Sequence, residues 1–389
     1  MKHGLSNAIQ FGIILTVGFL LYMSHFMAAA TVGLFANTMN AKASMVGIIG
    51  GAMGAMALVM RPISGQIVDN ENNKTVLIFF AALICISNMC LLWAKIPFLI
   101  LVSRGLFGLS WGICSTLLMT GSCNALSAGK MAVGISVFTM SQALAQLLGP
   151  FLALKILDFH SFRRLYSVTL SFAVVALTMS FFYKPKQFKK NKTKYTFDFR
   201  KIFLADIWAP TVMSMGNYMI ADAMNAFIVL YATDINIADI SWFFSLKAAS
   251  MLLARPLMTA VTKGQYSKRF VVLCELLMIS GVGILFFARG ECIFLIAAVV
   301  QGVANAGAQP ALMKLCVEGA APEKRGQATN TNYAGCDIGA FMGPALSGVV
   351  IQAAGYRFAF VTISALLLIF LCIFSFAYKT GKEGLIKKN

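Results

Sequence analysis

Residues 61–74 read RPISGQIVDNENNK and residues 255–268 read RPLMTAVTKGQYSK. Both stretches begin on Arg-Pro and end on Lys, and they lie 194 residues apart (255 minus 61), about half of a 389-residue chain. The same shift carries Gly108 onto Gly302, Gly149-Pro150 onto Gly343-Pro344, and Arg163 onto Arg357. One constant offset, holding from the second hydrophobic segment to the sixth, is not what chance Gly-Pro pairs produce. The chain reads as one unit duplicated in tandem.

Composition limits what that unit is. Hydrophobic residues make up 59% and charged residues 12%, with a mean hydropathy of +0.79. A soluble domain carries roughly 25% charged residues, so this chain is too apolar for water. Its 32 Phe and 22 Met swell the apolar total, the Met serving as flexible helix packing. The nine Cys are scattered singly (Cys85, Cys114, Cys274, Cys316 and others) without C-x-x-C or Cys/His spacing. Neither a disulfide framework nor a zinc site follows from them, and three His do not supply a multi-histidine metal centre. A net charge of +18 in a soluble protein would point to nucleic acid. Here the basic residues collect in short loops on one side.

A helix needs about 20 apolar residues to cross the hydrocarbon core. Twelve segments qualify: 8–37, 44–68, 74–94, 97–122, 131–157, 163–183, 207–232, 239–262, 268–288, 291–316, 326–354 and 357–378. The first is too long for the roughly 7–15-residue apolar region of a signal peptide and has no evident cleavage site, so it stays as a span. Between 184 and 206 the sequence KPKQFKKNKTKYTFDFRKIFLAD carries six Lys in its first eleven residues. It divides the chain into an N-terminal half, 1–183, a basic linker, 184–206, and a C-terminal half, 207–389. If both termini are inside, the inner segments hold 20 Lys and Arg and the outer loops hold 6. Positive loops stay in the cytoplasm, so both termini are expected there. Parallel repeats of membrane helices are a construction of secondary transporters, with the substrate site between the repeats.

Three motifs sit on this frame. The loop after the second span, GQIVDNENNKTVL, keeps Gly65, Ile67, Asp69 and Lys74 of a G-x-L-A-D-R-x-G-R-R/K pattern, with Asn70, Asn72 and Asn73 replacing other members. The fourth span contains SRGLFGLSWG, in which Arg104, Gly108 and Gly112 are spaced by four. Small residues so spaced let helices approach closely. The fifth span contains Gly149-Pro150, with Ala145 and Ala153-Leu154 departing from G-x-x-x-G-P-x-x-G-G. The eleventh keeps Gly339-x-x-x-Gly343-Pro344. In each, Pro removes a backbone bond and Gly leaves room for packing. Together these features resemble the major facilitator superfamily over nearly the whole chain, most closely its drug/proton antiporter-like twelve-span branch. The resemblance implies an all-α membrane protein of twelve helices in two pseudo-symmetric six-helix halves. It also implies a conformational latch at Asp69, an Arg104 engaged in proton coupling, and fifth and eleventh spans that bend where the halves meet. Snorkelling to the outer interface is the other reading of Arg104.

Polar residues inside spans are functional candidates by default. Tyr22 and His25 share a face of the first span. Tyr218, Asp222 and Asn225 share one of the seventh, and Gln301, Asn305 and Gln309 one of the tenth. The resemblance makes the first, fourth, seventh and tenth spans line a central cavity. A cavity bearing Tyr22, His25, Arg104, Asp222, Asn225, Asn305 and Gln309 is amphipathic and mixed in charge. Asp222 is the leading proton carrier, since a carboxylate removed from water can exchange its charge for a proton. Asp337 in the eleventh span either shares that role or pairs with Lys247 in the eighth. Glu275 and Lys155 read as structural or interfacial.

The expected function is secondary active transport by alternating access, with proton-coupled export of a small amphipathic molecule across the cell membrane. Uptake of a sugar or organic acid by proton symport is the alternative. A membrane enzyme would need a clustered reactive constellation, and three isolated His do not make one. A receptor would carry a signalling domain, and the longest loop is a short linker. There is no P-loop for ATP. The expected partners are substrate, proton and bilayer, with no cofactor, metal or nucleic acid, and the protein is expected to act as a monomer.

Overall fold

The computed structural model describes residues 2–125, 131–185, 203–237, 240–262, 266–321 and 324–386, and these contain α-helix and short 3-10 turns but no strand. In chain order the helices are α1 (Lys2–Ala29), α2 (Val32–Thr38), α3 (Ala43–Asn70), α4 (Asn73–Leu92), α5 (Pro97–Ala125), α6 (Met131–Phe159) and α7 (Phe162–Ser180). Then follow α8 (Trp208–Asp234), α9 (Ser241–Thr262), α10 (Lys268–Gly283), α11 (Glu291–Glu318), α12 (Arg325–Ala354) and α13 (Tyr356–Ile386). Among the described residues, ten stretches are long and apolar enough to span a bilayer. The two remaining long helices are α8, with 27 residues, and α9, with 22. Even the shorter is about 33 Å long, enough for a core of about 30 Å. They are the more polar pair, carrying Asp222 and Asp234, and Lys247 and Arg255. With them the crossings number twelve.

Two spans differ in detail from the sequence reading. The first breaks at Ala30-Thr31, where the Thr31 hydroxyl donates to the Met27 carbonyl at 2.9 Å, and resumes as the short α2. The ninth ends as α-helix at Gly283 and tightens into a 3-10 turn over Ile284–Phe287. Local chemistry explains other boundaries. Asn72 caps α4 by accepting from the Lys74 N–H at 3.1 Å, and Ser267 caps α10 by accepting from the Phe270 N–H at 3.2 Å. A side-chain cap contributes about 1 kcal/mol. Asn40 and Asn236, just past the first and seventh spans, both take φ of 58°, a left-handed conformation that Asn tolerates.

The described chain forms two compact units. One comprises Met1–Asn40 and Ala55–Asp198, and the other comprises Ala41–Gly54 and Phe199–Asn389. In the first, α1 packs on α5, α6 and α7, and α4 lies against α5 and α7. In the second, α8 packs on α11, α12 and α13, and α10 lies against α11 and α13. Shifted by one repeat, the two patterns coincide. Large apolar side chains such as Phe79 (62% exposed), Leu257 (67%) and Val261 (83%) remain on the outside, as suits helices facing hydrocarbon.

The motif glycines differ in what they do. A Cβ on Gly112 would come within 2.8 Å of the Ala57 carbonyl, so this glycine permits close packing of α5 on α3. On Gly149 it would meet Phe26 of α1 at 2.8 Å, and on Gly339 and Gly343 it would overlap the Met215 and Met219 carbonyls of α8. These three glycines therefore pack inside their own units, and α6 and α12 continue as helix through Pro150 and Pro344. Gly108 is buried within α5. Gly65 is exposed with open space beside it, and Lys74 stands half-buried in the first turn of α4. The Asp69 side chain and most of the basic linker, 186–202, lie outside the described residues.

Candidate functional site

In each unit several of the candidate residues come together. In the first, Arg104, Phe107 and Trp111 fall at i, i+3 and i+7 on α5 and so share a face. Arg104 is 4% exposed, which removes the snorkelling alternative within this unit. Its guanidinium lies over the Phe107 ring at 5.9 Å, a cation–π arrangement that strengthens as water is excluded. His25 of α1 stacks on Trp111 (5.3 Å, 23°) and Phe107 (5.5 Å, 29°) and leans on Phe26 at 4.8 Å. Tyr22, one turn earlier, meets Trp111 edge-on at 4.7 Å and 86° and lies 6.1 Å from Phe138 of α6. The His25 Nδ1 is buried and has no hydrogen-bond partner among the described residues. This is an aromatic box with two basic side chains in it. Sequence reasoning found Tyr22, His25 and Arg104 but treated Phe107 and Trp111 as spacers in a glycine motif. The i, i+3, i+7 spacing was the signal available.

The second cluster is built from hydrogen bonds. On α8, the Asn225 amide donates to the Asp222 carboxylate at 3.3 Å. Asp222 also acts electrostatically on Lys247 of α9, the lysine for which the sequence suggested Asp337. The Gln309 amide of α11 donates to the Tyr218 hydroxyl at 3.0 Å, while its Oε1 accepts from Arg255 Nη2 at 3.1 Å. Three helices are thereby tied: α9 through Arg255, α11 through Gln309 and α8 through Tyr218. Gln301 is fully buried and turns to the Gly281 carbonyl at 3.1 Å, which separates it from Asn305 and Gln309 despite their shared spacing. Asn305 is 9% exposed with its Oδ1 buried. Asp337 is half-buried on α12, where a Cβ on Gly54 would come within 2.7 Å of its carbonyl oxygen.

Two participants were not foreseen. Arg255 served only as a landmark of the repeat, although an Arg seven residues from the end of a span was itself a signal. Glu275 of α10, read as structural or interfacial, has no exposed surface and accepts from the Asn217 amide of α8 at 3.3 and 3.4 Å. Among the described residues, no group of His, Cys, Asp and Glu could hold a metal ion. What the two clusters can do is bind: one offers aromatic faces and the Arg104 cation, the other charges and directional hydrogen bonds.

Comparison with known proteins agrees with this architecture. The chain is 24% identical over 383 residues to the staphylopine export protein of Staphylococcus aureus (strain Mu50 / ATCC 700699), covering 93% of this chain and 95% of that protein. It is similar in fold to a bacterial homologue of the human lysosomal transporter Spinster, with a TM-score of 0.76, 13% identity and coverage of 97% and 98% of the two chains. A similar likeness holds to the nucleoside transporter NupG, with a TM-score of 0.74, 13% identity and coverage of 97% and 100%. The sequence pattern of the Major Facilitator Superfamily matches residues 14–231 and again residues 207–388. The chain is a multi-pass membrane transporter, not an enzyme, and belongs to the Major Facilitator Superfamily.

Proposed function

We propose that this transporter exports a small amphipathic molecule across the cell membrane in exchange for protons. In this reading the six-helix halves 1–183 and 207–389 alternate in access, the linker 184–206 and both termini are cytoplasmic, and the protein works as a monomer. The observation that carries it is Asp222, an acid in the middle of α8 that interacts with both Asn225 and Lys247. Protonation there removes a negative charge that acts on Lys247, so in this reading proton and substrate favour different conformations, which coupling requires. The aromatic box of the first unit supports an amphipathic substrate. Export is supported by a relative that is named for export.

The test is dye accumulation in cells lacking their main efflux pumps, comparing wild type, Asp222→Asn and empty vector, with and without a protonophore. Lower accumulation in wild type, abolished by both the protonophore and the substitution, is expected. Accumulation equal to empty vector at confirmed expression overturns broad export. The Arg255–Gln309–Tyr218 chain favours a second reading, proton symport of a sugar or organic acid, which uptake into proteoliposomes under an imposed proton gradient would reveal.

A further inference from the structure

Glu275 is the eighth residue of α10 (Lys268–Gly283) and is wholly buried. Asn217, 2% exposed on α8, is its hydrogen-bond partner among the described residues, with Nδ2 at 3.3 Å from Oε1 and 3.4 Å from Oε2. No described cation compensates the carboxyl. On the helices around it, Lys268 donates to the Ser375 carbonyl, Lys314 pairs with Glu318, and Arg357 donates to the Ala288 carbonyl. On α8, Tyr218 is engaged with Gln309, Tyr231 donates to the Leu285 carbonyl, and Asp222 accepts from Asn225. Cys274 and Cys316 are buried thiols.

The fold does not need this pair. Shifting back by 194 residues, Glu275 falls on Ala81 and Asn217 on Met23. Both are buried in the first unit (0% and 2% exposed), which packs its helices in the same pattern without an acid there. An isolated buried carboxylate costs several kcal/mol, and such a group loses its charge by taking a proton. An amide serves either form, because its NH2 donates to a carboxylate and its oxygen accepts from a carboxylic acid.

We propose that Glu275, held by Asn217, is an occluded proton-binding site. Its carboxyl takes up one proton when water reaches it and carries that proton, as the neutral acid, while α8 and α10 are closed around it. Release then requires a conformation that wets the same carboxyl. The inference rests on the proton-coupled reading above and names a site separate from Asp222.

Infrared difference spectroscopy on the purified full-length protein in lipid nanodiscs, stepped from acid to alkaline pH, tests it with the proton itself as ligand. The expected result is a carboxylic-acid carbonyl band in wild type that is missing in Glu275→Gln, shifts in Asn217→Leu, and exchanges slowly into deuterated water. If wild type has no band that Glu275→Gln removes, or if that band exchanges at once, the proposal is overturned. Should Glu275→Gln fail to fold, the Asn217→Leu band decides, since an unshifted band means the acid observed is not Glu275. The dye assay keeps the two ideas apart. Protonophore-sensitive export without a Glu275 band leaves proton coupling standing and removes this site. A Glu275 band with protonophore-insensitive export does the reverse.

Discussion

The two repeats share a packing plan and differ in chemistry. Shifted by 194 residues, Phe107 corresponds to Gln301, Trp111 to Asn305, Phe138 to Asn332, Ala28 to Asp222 and Ala81 to Glu275. At each position the first repeat has an aromatic or small apolar side chain and the second has a polar one. His25 and Arg104 run the other way, standing opposite Met219 and Ala298. Glycine contacts were retained while the helix faces diverged. Gly149 approaches Phe26 and Met27 on α1, and Gly343 approaches Met219 on α8, so the same helix pair closes in both units. Packing constrains a few positions where backbones nearly touch. Everything else on those helices is free to specialise, and here one unit became aromatic and cationic while the other became a hydrogen-bonded network.

The largest expected difference tests the packing half of that comparison. A Cβ at Gly149 meets the Phe26 side chain at 2.8 Å, whereas at Gly343 it runs into the Met219 backbone carbonyl. The Phe26 atom met is its Cβ, which no rotamer change moves, so α1 must shift a little at Gly149. The deeper overlap with the Met219 carbonyl at Gly343 demands a larger shift of α8. Gly343→Val is expected to yield no monodisperse protein on size exclusion, while Gly149→Val folds with a loss of about 1–3 kcal/mol in thermal melts. Similar behaviour of the two would mean that the units are not packed by unequal contacts. Next in size is Trp111→Ala against Asn305→Ala, its counterpart. Trp111 is 8% exposed and contacts Tyr22, His25 and Phe107, so truncation should cost about 3 kcal/mol or more. Among the described residues Asn305 makes no side-chain hydrogen bond that truncation would break, and its Oδ1 is buried without a partner. Its truncation is expected to change stability by less than about 1 kcal/mol. A larger effect at Asn305 would show that the second cluster, not the aromatic box, holds its unit together.

Much of the fold was legible because membrane helices write themselves in composition and because duplication repeats its landmarks. Ala-rich and Leu-rich spans, Gly343-Pro344 and the lysine-rich linker needed no three-dimensional information. The facing of a side chain did need it. Tyr218, Asp222 and Gln309 were found because they recur at helical spacing among apolar residues. Gln301 has the same spacing and yet is tied to the Gly281 carbonyl, since periodicity gives a face but not what lies opposite it. Glu275 escaped for a related reason. A single acid in a leucine-rich span looks alike whether it points at headgroups or at an amide on another helix, and only the approach of α8 to α10 distinguishes the two. The broken first span was hidden because Ala30-Thr31 is as apolar as its surroundings, and the break shows only in where the Thr31 hydroxyl goes.

The smallest effect sharpens the chemical half of the comparison. Tyr218 and Ser24 occupy equivalent positions (218 minus 194 is 24), and each makes one side-chain hydrogen bond to another helix. Tyr218 accepts from Gln309 at 3.0 Å, and Gln309 in turn accepts from Arg255. Ser24 donates to Asn88 at 3.4 Å, near the outer limit of a useful hydrogen bond. Tyr218→Phe removes an acceptor from a chain that joins three helices and leaves an amide hydrogen unmatched, so a loss of about 1 kcal/mol is expected. Ser24→Ala removes one long bond and should fall below that. In a double-mutant cycle, Tyr218→Phe with Arg255→Met should be non-additive by about 0.5 kcal/mol or more, because the two groups share Gln309. Ser24→Ala with Arg61→Met, the equivalent pair of the first repeat, should be additive. Additivity in both cycles would mean that the second unit's polar residues are separate contacts and not a network.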